Sequence, residues 1–124
     1  MNAMLMAQDA YGAHARATRT PRDTEYDAIA RITRRLSEAA QPEGDLAGLA
    51  AALLDNRRLW STLAADIAQP ENPLPAELKA RLLYLAEFTD AHSRKVLSGD
   101  ATADPLIDVN TAVMRGLRNG SRPT

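Results

Sequence analysis

The longest sustained pattern in the chain runs from Leu46 to Ile67. Apolar residues recur at Leu46, Leu49, Leu53, Trp60, Leu63 and Ile67, the three-and-four spacing of one helical face. The one position this rhythm skips is Asn56, so the stretch predicts a packed helix with a polar insert in its seam. Punctuation divides the rest into further helical segments. A first helix is expected over 2–17, with Met4, Ala7, Tyr11 and Ala15 on one side. Thr20-Pro21 reads as a cap followed by a proline at the first helical position, and opens a second helix over 21–40 with Tyr26, Ile29, Ile32 and Leu36 on one face. Gln41-Pro42-Glu43-Gly44 breaks it, and Asp45 can cap the third helix, 45–68.

Residues 69–75 hold three prolines and read as a stiff connector. A fourth helix over 77–97 stops at Ser98-Gly99, and Asp104-Pro105 starts a fifth over 105–117. Residues 119–124 read as a disordered polar tail. No segment alternates strictly enough for a strand. The expected fold is an all-α, single-domain, up-and-down bundle of about five helices with short loops, its first helix docked less firmly than the rest.

Composition narrows the function classes. Aromatic residues make up 4% of the chain and Ala and Leu dominate, which tilts further toward helix. A net charge of −1 supplies no field to draw in nucleic acid or an anionic membrane. With no cysteine there is no disulfide, thiolate ligand or thiol nucleophile, which fits a reducing compartment. No stretch approaches the roughly 18 apolar residues of a membrane span, and the start lacks the basic region of a signal peptide. A cytoplasmic location is expected.

Candidate chemistry is sparse. His14 and His92 are the only histidines, and neither has an acidic partner at metal-ligand spacing. His92 falls on the seam Leu78, Leu82, Leu85, Thr89, His92, Val96, where a packing role outweighs a base or ligand. Asp23, Glu25 and Asp27 open a helix, where the dipole accounts for acidic residues. Asp100, Asp104 and Asp108 match no calcium loop. No phosphate-binding glycine loop or nucleophile elbow is present, so no enzyme activity, metal or cofactor is expected.

Binding surfaces remain. Arg31, Arg34 and Arg35, and separately Arg57 and Arg58, form basic clusters, but no aromatic stacking platform is interleaved with them, and solvated helix faces are the simpler reading. Trp60 is either a core residue, with burial worth on the order of 4–6 kcal/mol as an upper bound, or an interface anchor beside Arg57 and Arg58. Arg57 would stack on its ring or project past it toward a partner. The fourth helix carries a second face of Arg81, Tyr84, Phe88, Ala91 and Lys95. Either that helix is buried on two sides, or Tyr84 and Phe88 receive a partner helix. Arg57, Arg58, Arg81, Tyr84, Phe88 and Lys95 are the candidate partner-binding residues. Tyr26, Ile29, Leu53, Asn56, Trp60, Leu63, Leu82, Leu85, His92 and Val113 form the expected core. Replacing Asn56 by Leu should raise the melting temperature if the polar insert is only structural.

Four blocks in order carry a resemblance: TPRDTEY from Thr20, NRRLWSTLAADIA from Asn56, LLYLAEFTDAHSRKVLSG from Leu82 and PLIDVNTAVMRGL from Pro105. Together, over roughly 11–117, they resemble the FlaF family of flagellar biosynthesis regulators. The resemblance implies a small cytoplasmic helical protein needed for flagellin production or export, working alongside the regulator FlbT. It leaves two roles open. One is a chaperone or adaptor that binds flagellin, whose polymerising segments are amphipathic helices, before type III export. The other is a post-transcriptional regulator acting with FlbT on flagellin messenger RNA. A helical bundle with a spare apolar face favours the first, and the near-neutral charge argues against direct RNA binding.

Overall fold

The computed structural model of the chain describes residues 21–120, with side chains described for 25–117. It is all-helical over that span: α1 (Pro21–Ala39), α2 (Leu46–Ile67), α3 (Ala76–Leu97) and α4 (Asp104–Gly120). The expected helix over 2–17 lies outside the described residues, as do 121–124 of the expected tail. Asn119 and Gly120 are part of α4, so the last helix outruns its expected end at 117. Its start also shifts. Leu106 and Ile107 donate their N–H groups to the Ala103 carbonyl, which makes Ala103 the flanking residue and places Asp104 inside the first turn.

The punctuation works through specific bonds. Asp45 caps α2 by accepting the Gly48 N–H at 2.7 Å. Gly44 is required in the preceding turn because a side chain there would collide with the Ala39 carbonyl oxygen. In the proline-rich connector, Asn72 donates to the Asp66 carbonyl and accepts the Leu74 N–H, locking the turn after α2. α3 ends in a Schellman motif. The Asp100 N–H reaches the Lys95 carbonyl, the Gly99 N–H reaches Val96, and Gly99 takes a φ of +82° that a side chain would strain.

Successive helices run in opposite directions. α1 packs against α2 and α4, α2 against α3, and α3 touches α4 only lightly. Two apolar clusters fill the interior. One joins Leu36, Ala52, Leu53, Val96, Ala103 and Leu106, and the other joins Ile29, Ile32, Leu59 and Trp60. Between them lies a polar layer to which every helix contributes: Thr33, Asn56, Thr89 with Ser93, and Asn110, all buried. Asn110 is its hub. Its Oδ1 accepts the Trp60 indole N–H at 2.8 Å, and its Nδ2 donates to Asn56 Oδ1 at 2.8 Å and to Thr33 Oγ1 at 3.0 Å. Thr33 passes its own proton to the Ile29 carbonyl.

Several expected core residues sit nearer the surface. Ile29, Leu53, Asn56 and Trp60 are buried, whereas Leu63, Leu85 and Val113 lie half-buried against the second cluster. Tyr26, Leu82 and His92 are also half-buried, and Leu46, the first residue of α2, is exposed. The seam of α3 steps from Thr89 to Ser93 and then Val96, so Ser93 takes the interior place expected of His92. The His92 ring moves to the flank. It stacks on Phe88 at 5.2 Å, and its Nε2 pairs with the Thr102 carbonyl, tying α3 to the loop before α4.

Among the described residues, two buried polar side-chain atoms have no partner, Asn56 Nδ2 and Thr89 Oγ1. They predict opposite mutational effects. Asn110→Ala leaves the Trp60 N–H and Asn56 Oδ1 unpaired and should cost about 2–4 kcal/mol in urea unfolding. Thr89→Val removes an unpaired hydroxyl and should add roughly 1 kcal/mol. Asn56→Leu strips Asn110 of an acceptor, so it should lower the melting temperature rather than raise it as the sequence alone suggests.

Candidate partner-binding cleft

The register of α2 against α3 is set by charge. Arg57 donates from Nε and Nη2 to Asp90 Oδ1 at 3.0 and 2.8 Å, and Arg94, one turn on, donates to the other carboxylate oxygen. The Arg57 guanidinium holds the Asp90 carboxyl below the usual carboxylate range; the charge of Arg94 reinforces this and partial desolvation opposes it. Arg57 therefore neither stacks on Trp60 nor projects freely, but bridges two helices.

Beside this triad a cleft of about 470 Å³ opens between α2 and α3. Trp60, Ala64, Leu83 and Ala86 give it an apolar wall, while Ser61, Glu87 and the triad supply polar groups. Helical spacing explains why these residues meet. On α2, Leu46, Ala50, Leu54, Arg57, Ser61 and Ala64 follow one another by three or four and share a face. On α3, Leu83, Glu87, Asp90, Arg94 and Leu97 do the same. Leu46, Leu54 and Leu97 are exposed, so the apolar surface continues along both helices beyond the triad.

Of the candidate partner-binding residues, only Arg57 lines the cleft. Arg58 is exposed on α2. Arg81, Tyr84, Phe88 and Lys95 follow one another at helical spacing on the other flank of α3. Of the two readings of this face, burial on a second side holds for Phe88 but not for Tyr84. Tyr84 is 66% exposed, but Phe88 is half-buried against the first cluster, and Arg81 pairs with Glu77. The cleft residues Asp90, Arg94, Leu54 and Leu83 escaped the sequence reading, although the stripe from Leu83 to Leu97 was visible in the spacing. Among the described residues there is no group of acidic or histidine side chains able to hold a metal, and no helix is long and apolar enough to cross a membrane.

The triad predicts an acid-dependent contribution. Because the folded-state pKa of Asp90 is depressed, its stabilising effect is present above the unfolded-state value near 3.9 and is lost as pH falls through the folded value. Asp90→Asn should be less stable than wild type at pH 7 and should lose stability less steeply below pH ~4, as read by urea midpoints across the acid range.

A family model described as Flagellar protein FlaF matches residues 7–117. No curated protein and no solved structure matches the chain. Since the match spans most of the chain, the protein belongs to the FlaF family of flagellar proteins.

Proposed function

We propose that the protein binds flagellin in the cytoplasm, as a chaperone or adaptor that holds it for type III export and assembly. One observation carries this reading: the α2–α3 cleft is open and walled by apolar side chains beside hydrogen-bonding ones, and exposed leucines continue beyond it on both helices, a surface suited to an amphipathic helix laid between two others. Flagellin's polymerising segments are helices of that kind. Family membership supports the flagellar context. FlbT is a further candidate partner in the same process.

The alternative is post-transcriptional regulation through flagellin messenger RNA, which would place the contact on arginines. Arg34, Arg35 and Arg58 are exposed, yet Arg35 already faces Asp55 at 3.5 Å, and the chain's net charge is −1. The balance of charge favours the protein partner.

Co-expression tests the proposal. The protein should co-purify with flagellin in a soluble complex that survives moderate salt, and should delay flagellin polymerisation. Failure to co-purify at any flagellin concentration would sink it. Binding of flagellin messenger RNA that falls steeply with salt and is lost in an Arg34/Arg35 double alanine variant would favour the alternative. Tyr84→Asp, rather than a change at the half-buried Phe88, separates a role for the opposite flank of α3 from loss of fold.

A further inference from the structure

The walls of the cleft specify more than an apolar helix. From Ala50 to Ala64 the stripe of α2 that enters the cleft at Arg57 covers about 21 Å, roughly four turns of a helix laid alongside. The two ends of this surface are apolar, with Leu46, Leu54 and Leu97 exposed at one and Trp60, Ala64, Leu83 and Ala86 at the other. Charge occupies the middle and is unevenly placed. Arg57 alone makes two hydrogen bonds to Asp90, so the Arg57–Asp90 pair is already neutral. Arg94 adds a second cation to the same carboxylate, and its side chain is 65% exposed. It can turn to an incoming anion while Asp90 keeps Arg57. Two turns back on the same stripe, Glu87 has no ion pair among the described residues and repels an anion from that end.

We infer that the cleft and the stripe leading into it take a four-turn amphipathic helix whose inward stripe carries an acidic residue between two apolar anchors, the acid meeting Arg94 and one anchor seating against Ala64, Leu83 and Ala86. The inference rests on the reading of the protein as a flagellin-binding chaperone, and names the kind of flagellin helix that it selects.

Trp60 is the only tryptophan and lines the cleft, so its fluorescence reports occupancy by a tryptophan-free peptide. Two synthetic helical peptides with identical apolar anchors, one with a central Glu and one with a central Lys, are titrated into the full-length protein. The Glu peptide should bind about tenfold more tightly at low salt, with the gap closing as salt rises. Arg94→Ala should abolish the preference, and Leu54→Asp should weaken both peptides about tenfold. Tyr84→Asp should bind like wild type. Equal affinity for the two peptides, binding of neither, or sensitivity at Tyr84 instead of Leu54 would each overturn the inference. Flagellin itself separates the two levels. If it co-purifies with Leu54→Asp as well as with wild type, the groove falls and the chaperone reading stands. If wild type never captures it, the chaperone reading falls, and the peptide comparison still decides the groove.

Discussion

The side-chain amide of Asn110 is the constraint on which the bundle depends. It is fully buried, and it spends both of its N–H groups and its oxygen on partners from two other helices. An amide satisfied in this way accepts one arrangement of neighbours, whereas Leu and Ile on either side would tolerate a helix sliding by a turn. Without the polar layer, the apolar clusters above and below would merge into a uniform core built largely of Leu, Ile and Ala. Such cores are stable yet poorly specified. The layer trades some stability for a single register. The two unpaired atoms, Asn56 Nδ2 and Thr89 Oγ1, lie within that layer and mark the stability forgone.

That register reaches the surface through Trp60. Its indole N–H is held by Asn110, while the ring forms part of the second cluster and of the cleft wall. A hydrogen bond at one edge of the ring thus fixes the buried indole that backs the cleft wall at the other. One turn earlier on α2, Asn56 accepts from the same Asn110, and the next residue, Arg57, reaches across to Asp90. Core and cleft are therefore one mechanical unit along α2. A cleft held by rigid helices is more precise than one built on loops, and it lowers the ordering cost of binding a helix.

The elements were legible in the sequence because local chemistry decides them. Asp45, Gly44, Gly99 and the three prolines act over a few residues, and the helices begin and end close to where they predict. Asn56 stood out as a skipped position in an apolar rhythm, and Thr89 as a polar residue in the seam of α3. What periodicity cannot decide is which of two adjacent faces turns inward on a helix with more than one apolar stripe. On α3 the interior runs through Ser93, not His92, and the flank carrying Asp90 and Arg94 drew no notice beside the one carrying Tyr84. The Arg57–Asp90 bridge spans 33 residues, and no local pattern announces a pair of that kind.

α2 resolves the remaining puzzle of composition. A helix with Leu, Ala or Trp on nearly every side would ordinarily be buried all round. α2 packs on α1 and on α3, yet Leu46 and Leu54 still face solvent. Scattered apolar residues on a surface need no explanation, but these two share one stripe with Ala50, Ser61 and Ala64, and that stripe runs into the cleft. Keeping such a stripe polar would have served solubility, and the only strong charge placed on it, Arg57, is turned inward to Asp90. The remaining charge lies on the opposing helix, in Glu87 and in Arg94, which shares Asp90 with Arg57. The surface thus stays apolar along one wall and carries its charge on the other. α2 therefore packs on two helices and forms one wall of the cleft at once.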